Sequence, residues 1–169
     1  LRMLGKAIKS VYASVFYNGS RTYIQTTGNL LSEEKMAVVV QSICGSEHNG
    51  LYYPMLSGVA RSVNYYPIGN EKAEDGIVDL AFGRGKTVVD GGNSLRFSPK
   101  YPKKILQLSE TKLALRDTQK MMYALDLRAG AFKISRDESV NLAHIQISEA
   151  LQNYSHPELV ASTFSIENN

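Results

Sequence analysis

The chain has 169 residues and a single cysteine, Cys44. That excludes an internal disulfide framework and a multi-cysteine zinc site. No apolar run approaches the ~20 residues a membrane helix needs, and no charged-then-apolar signal opens the sequence. A cytoplasmic protein without a membrane partner is expected. Basic residues are missing from 137–169, which hold five acidic ones. Internal repeats and low-complexity segments are also missing. What is present argues for a packed core rather than disorder: 43% apolar residues, with ten Tyr and five Phe. Two glycosylation-type triplets, Asn18-Gly19-Ser20 and Asn153-Tyr154-Ser155, carry no weight in a cytoplasmic setting.

The formal net charge of +3 conceals a partition. Residues 1–83 are neutral overall, with seven basic and seven acidic side chains. Residues 84–136 carry twelve basic and four acidic groups, a net +8. Such a block is either a solvated face or an anion footprint for phosphate, nucleotide or nucleic acid.

Leu1, Leu4, Ile8, Val11, Val15 and Phe16 recur at helical spacing, and Asn18-Gly19-Ser20 is expected to break that helix. With no capping residue ahead of Leu1, the segment reads as part of an excerpt from a longer protein. The β-branched run Lys35–Ile43 reads as a strand buried on both faces, and Gly45–Gly50 as a turn. Strands are expected around Val59–Tyr65, Ile77–Phe82, Met121–Leu127 and Leu142–Ile147. Thr87–Gly92 reads as an apolar step into a turn rather than a helix. Ser98–Lys104, rich in Pro and Lys, marks the expected boundary between a core segment (1–98) and its continuation or a smaller subdomain (99–169). Ser109 is placed to cap a helix near Glu110–Arg116, and Pro157–Ile166 fits helix or strand. Interspersed helices and strands without regular βαβ alternation indicate an α+β fold.

Gly83-Arg84-Gly85-Lys86-Thr87 is the sharpest local feature. It ends like a phosphate-binding P-loop, but Leu80 stands where the first glycine of that pattern belongs. A glycine-flanked turn remains, in which backbone and two cations can approach an anion; a plain strand connection is the competing reading. His48, His144 and His156 lack metal-ligand spacing. No Gly-x-Ser-x-Gly elbow is present. Cys44 reads as a buried, inert thiol. The carboxylates Glu33, Glu34, Glu71, Glu74, Asp75 and Asp79 suit surface solvation better than a metal. Tyr101, Tyr123, Phe97 and Phe132 interleave the basic block, yet no nucleic-acid module accompanies them, so nucleic acid is not an expected partner.

Four segments occur in a telling order: Val11-Tyr12-Ala13-Ser14-Val15-Phe16-Tyr17, Lys35–Gln41, Ser57-Gly58-Val59-Ala60, and Leu80–Gly91. Together they resemble the nucleotide-binding domain of the phosphoenolpyruvate synthase and pyruvate, phosphate dikinase family, which has an ATP-grasp-type fold with a mixed, largely antiparallel sheet. The resemblance covers roughly 8–127, with Leu115–Gln119 and Tyr123–Leu127 closest to a divergent branch.

The resemblance implies part of an ATP- and magnesium-dependent phosphotransferase that makes phosphoenolpyruvate from pyruvate through a phosphohistidine. ATP, pyruvate and the remaining domains of the same polypeptide are the implied partners. Gln41 falls where the family has a glutamine near the adenine, and Ser57-Gly58 where a loop lies beside the nucleotide. Arg84 and Lys86 belong to the basic turn. Lys86 replaces the commoner glutamate associated with the ribose, which suits a phosphate or acidic group better than a hydroxyl. Metal carboxylates and the phosphoryl-carrying histidine are expected outside the chain, leaving this segment without catalytic residues. The charge reversal at Lys86 also motivates an alternative: a non-catalytic binding or regulatory module that keeps the fold.

Overall fold

The computed structural model describes residues 2–28, 35–133, 135 and 137–152. The chain divides into two compact units: Leu1–Ile43 with Ile134–Arg136, and Cys44–Lys133 with Asp137–Asn169.

In the first unit, helix α1 spans Arg2–Ala13 and passes into a 3-10 turn at Ser14–Phe16. The expected apolar face forms, although α1 itself contains no buried residue. The expected break at Asn18 is displaced. The chain turns at Tyr17, in extended conformation (φ −72°, ψ 151°), and Asn18 opens a second helix, α2, spanning Asn18–Thr27. Asn and Gly favour helix starts as well as turns, so the same residues fit both roles. Thr22, Thr26 and Thr27 each donate a hydroxyl to the carbonyl four residues earlier, keeping their polar groups inside the helix. Gly28 ends α2 at φ 73°, the left-handed stop that glycine adopts without steric cost.

The Lys35–Ile43 run is not a doubly buried strand. It carries no regular structure, and Val39 and Val40 are 79% and 68% exposed. A β-branched sequence favours extended backbone, but only a ladder partner makes it a strand.

Among the described residues, the second unit contains two antiparallel sheets. In the first, β1 (Ser46–His48) and β2 (Leu51–Tyr53) form a hairpin. Its turn residues Asn49 (φ 50°) and Gly50 (φ 79°) are both left-handed, as a two-residue hairpin requires. The turn expected over Gly45–Gly50 is therefore confined to its last two residues. The second sheet follows, with β3 (Leu56–Arg61), β4 (Ile77–Phe82) and β5 (Leu95–Phe97) in that order. The β3 strand lies earlier than the expected Val59–Tyr65, because its register is set by β4: Leu56 faces Phe82 and Arg61 faces Ile77. The chain then returns to the first sheet with β6 (Met121–Asp126) and β7 (Leu142–Gln146), completing the order β1-β2-β6-β7. The α+β class holds, and every described ladder is antiparallel.

Among the described residues, three short α-helices accompany the sheets: α3 (Lys86–Val89), α4 (Thr111–Asp117) and α5 (Ile147–Gln152). The α3 turn replaces the non-helical step expected at Thr87–Gly92. Glu110, not Ser109, stands at the N-cap of α4. Ser109 instead donates its hydroxyl to the Leu106 carbonyl at 2.7 Å. The Ser98–Lys104 connector lies inside the second unit, and Pro157–Ile166 lies outside the described residues.

Tyr53, Phe82, Met122, Ala124 and Ala150 form the core, so β2, β4, β6 and α5 all contribute to one apolar cluster. The Tyr53 and Phe82 rings meet edge to face, with centroids 6.1 Å apart. Gln119 joins the two sheets: its Oε1 accepts the Phe82 N–H at 2.7 Å, and its Nε2 donates to the Phe82 and Met121 carbonyls at 2.9 Å each.

At the end of β6, Asp126 Oδ1 accepts from the Arg128 backbone N–H at 3.0 Å and from Arg128 Nε at 2.9 Å. The Arg128 side chain is the main reason its pKa is pushed down from 3.8 to about 2. A carboxyl that releases its proton more readily when folded stabilises the fold above its ordinary pKa and loses that contribution as pH falls. Asp126→Asn should therefore flatten the fall in thermal midpoint between about pH 4 and pH 2. An unchanged acid slope in Tm against pH would remove Asp126 as a source of acid sensitivity.

Candidate functional site

The β3–β4 ladder sets Ser57 opposite Ala81 and Gly58 opposite Leu80. A Cβ on Gly58 would meet Leu80 Cδ2 at 2.5 Å and the Asp79 carbonyl oxygen at 2.6 Å, so only glycine permits this approach. After Phe82 the chain leaves β4 through Gly83 at φ 81°. Three contacts pin the turn. Ser57 Oγ donates to the Gly83 carbonyl at 2.6 Å, Gly83 N–H to Met55 at 3.4 Å, and Arg84 N–H to the Tyr123 carbonyl at 2.9 Å.

Gly85 then starts α3. Its carbonyl accepts from the backbone N–H groups of Val88 and Val89 at 3.0 and 3.1 Å. One helical turn is too short to supply the phosphate-facing N-terminus of a P-loop. Lys86 is largely covered, its side chain 17% exposed, and Nζ lies 2.7 Å from Asp90 Oδ2. The same ammonium sits 5.9 Å from the centroid of the Tyr123 ring. His144, the cross-strand neighbour of Tyr123, stacks on that ring at 4.3 Å and 12°. The Asp137 carboxyl is held below its usual pKa, first by the Ser139 hydroxyl and backbone N–H and further by the charge of Lys86. Lys86, Thr87, Lys120, Tyr123 and His144 line a cleft of about 340 Å³.

Two buried polar atoms at this turn find no hydrogen-bond partner among the described residues: Arg84 Nη1 and Thr87 Oγ1. Leaving such groups unsatisfied costs on the order of 1–3 kcal/mol each, more for a charged one. The guanidinium offers a donor and the hydroxyl can offer another. That is chemistry suited to phosphate oxygens.

The structure thus brings together Ser57, Gly58, Arg84 and Lys86. Gln41 belongs to the first unit, where it is exposed in a segment without regular structure. Tyr123, His144 and Asp90 join Lys86 without having been singled out as its neighbours. Their signal was the β6–β7 register and the i,i+4 spacing on α3, neither of which is evident before the pairing is known.

The remaining candidates disperse. Cys44 is exposed rather than buried, because it precedes β1 instead of ending a core strand. His48 closes β1, with its ring 4.7 Å from that of Tyr53. Glu71 accepts from Asn64 and from Ile68 N–H, Glu74 lies 3.9 Å from Lys72, Asp75 2.8 Å from Lys100, and Asp79 3.5 Å from Arg61. His156, Glu33, Glu34 and the Asn153 triplet lie outside the described residues. Among those described, no three His, Cys, Asp or Glu side chains converge. Nor is any described helix long and apolar enough to cross a membrane.

A family model described as the pyruvate phosphate dikinase AMP/ATP-binding domain matches residues 2–165. No curated protein and no solved structure matches the chain. The match spans both units and contains all five candidate nucleotide contacts. This α+β, ATP-grasp-like chain therefore belongs to the family of pyruvate phosphate dikinase AMP/ATP-binding domains.

Proposed function

We propose that the chain is the nucleotide-binding part of a cytoplasmic, ATP-dependent phosphotransferase that makes phosphoenolpyruvate from pyruvate through a phosphohistidine. ATP and pyruvate are its small-molecule partners, and the other domains of the same polypeptide supply the histidine and the magnesium ligands. The chain itself contributes no catalytic residue. The observation carrying this reading is the pair of buried polar atoms with no partner among the described residues, Arg84 Nη1 and Thr87 Oγ1, at the turn after β4. A nucleotide phosphate would complete their hydrogen bonding, with Ser57 and Gly58 shaping the turn and Lys86 adding charge. Gln41 is the proposed adenine contact.

Titration of the full chain with ATP tests this assignment. Lys86→Ala should weaken binding about tenfold, as expected when a hydrogen bond to a charged group is lost, and Gln41→Ala by about three- to tenfold, as for a neutral one. Unchanged affinity in both variants sinks the site.

A second reading, a non-catalytic binding or regulatory module, draws on the Lys86–Asp90 pair. With its charge met by a carboxylate at 2.7 Å, Lys86 is less available to a ligand. On this reading Asp90→Asn would strengthen anion binding, and the full-length protein would not convert ATP and pyruvate to phosphoenolpyruvate.

A further inference from the structure

A second cavity lies in the same unit, between β5 and the segments 68–71 and 101–109. It encloses about 680 Å³, within the usual range for a small-molecule site. It shares no lining residue with the cleft at Lys86. Ile77, Phe97, Ile105 and Leu108 supply apolar walls. Arg96, Lys103 and Lys104 bring three cations to the same space, against one carboxylate, Glu71.

The charge balance favours an anion. Among the described residues, none of these three cations pairs with a carboxylate. Asp79 faces Arg96 across the β4–β5 ladder, yet it pairs with Arg61 at 3.5 Å. The Glu71 carboxylate is already engaged through Oε2, which accepts from Asn64 Nδ2 at 3.0 Å and from the Ile68 N–H at 3.1 Å. A neighbouring cation, Lys100, is taken by Asp75. Lys104 instead lies 5.3 Å above the centroid of the Tyr101 ring.

Arg96 is also held in place before any ligand arrives. Asn64, fully buried, accepts from Arg96 Nη2 at 3.2 Å and from the Tyr66 N–H at 3.1 Å through the same Oδ1. Its Nδ2 is the group bound to Glu71, so the amide orientation is fixed on both sides. The Arg96 backbone N–H donates to Gln107 Oε1 at 2.9 Å, and Gln107 Nε2 donates to the Ser94 carbonyl at 2.6 Å. Among the described residues, only one guanidinium nitrogen is occupied, by a neutral acceptor. A preorganised, charge-unpaired guanidinium beside apolar walls is built to take a planar or tetrahedral anion.

We propose that this cavity binds a small organic anion, an apolar or aromatic body carrying one phosphate or carboxylate. Arg96 takes the charged group, Lys103 and Lys104 add long-range attraction, and Tyr101 and Phe97 pack on the body. The proposal is independent of ATP binding at the other cleft.

Calorimetric titration of the full chain with phenyl phosphate, benzoate and inorganic phosphate tests it. At least one aryl anion should bind, and the tighter of the two identifies the charged group. Inorganic phosphate should bind about tenfold or more weakly, since it leaves the apolar walls unfilled. Arg96→Gln should weaken the aryl anion by about tenfold or more, Arg96→Lys by less, with ATP affinity unchanged in both. If Arg96→Gln fails to fold by circular dichroism, the double variant Lys103→Gln, Lys104→Gln takes its place, with an expected loss of about fivefold. No binding of either aryl anion overturns the proposal. So does equal binding of inorganic phosphate, or unchanged affinity in the variants.

Discussion

Gln119→Leu is expected to lower the stability of the second unit by about 2–4 kcal/mol, read as a shift in urea midpoint at constant m-value. The side chain contributes little apolar surface, so the loss is one of hydrogen bonding. Its amide accepts the Phe82 N–H and donates to the carbonyls of Phe82 and Met121. Leucine fills similar space but removes all three bonds from a partly buried site, which costs more than removing exposed ones. Gln119→Glu should do no better, because it replaces the donor with a second oxygen facing two carbonyls. A loss below about 0.5 kcal/mol in Gln119→Leu, the range of ordinary surface substitutions, would show that the two sheets hold together without this bridge.

Gly83→Ala is the second large effect, with an expected loss of about 2–4 kcal/mol. The φ of 81° is itself unfavourable for any residue with a Cβ. The added methyl would also lie 3.0 Å from both Met122 Cβ and the Tyr123 carbonyl oxygen. Met122 is fully buried and Tyr123 accepts from Arg84 N–H, so neither gives way freely. Relief requires shifting the turn that carries Arg84 and Lys86. Nucleotide affinity should therefore fall together with stability in Gly83→Ala, whereas Lys86→Ala, which removes one ion pair and strains no backbone, should lower affinity with a smaller fall in midpoint. Thermal midpoint and ATP affinity measured on both variants separate the two cases. A Gly83→Ala protein of unchanged midpoint would refute the steric argument.

Several elements were legible in the sequence for clear reasons. The strand Ile77–Phe82 is bounded by turn residues on both sides, and its observed limits match. Met121–Asp126 and Leu142–Gln146 fall within a residue of the expected ends. The family was legible through segment order, which survives when each motif is short. Lys35–Ile43 misled because composition reports a preference for extended backbone and says nothing about whether another strand will lie beside it. Gly45–Gly50 misled in the opposite direction: a dense cluster of turn residues concealed a three-residue strand. At the candidate site, the turn itself was legible, while the Lys86–Asp90 pair and the Tyr123–His144 stack depend on folded geometry. Gln119 is marked only as the end of the Leu115–Gln119 segment, and its bridging role left no trace, since a single amide joining two backbones has no period and no motif.

The path of the chain through the two sheets also bears on how the unit assembles. Strands β1 and β2 come early in the sequence, yet the second partner of β2 is β6, and the whole second sheet is strung between them. That inserted stretch, 54–120, contains its own ladders, β3 with β4 and β4 with β5, over much shorter separations. Closing a long loop is entropically costly, and prior compaction of the intervening chain shortens the distance to be closed. These separations predict that the inserted sheet nucleates before the outer one closes, with Gln119, immediately before β6, placed to register that strand against Phe82.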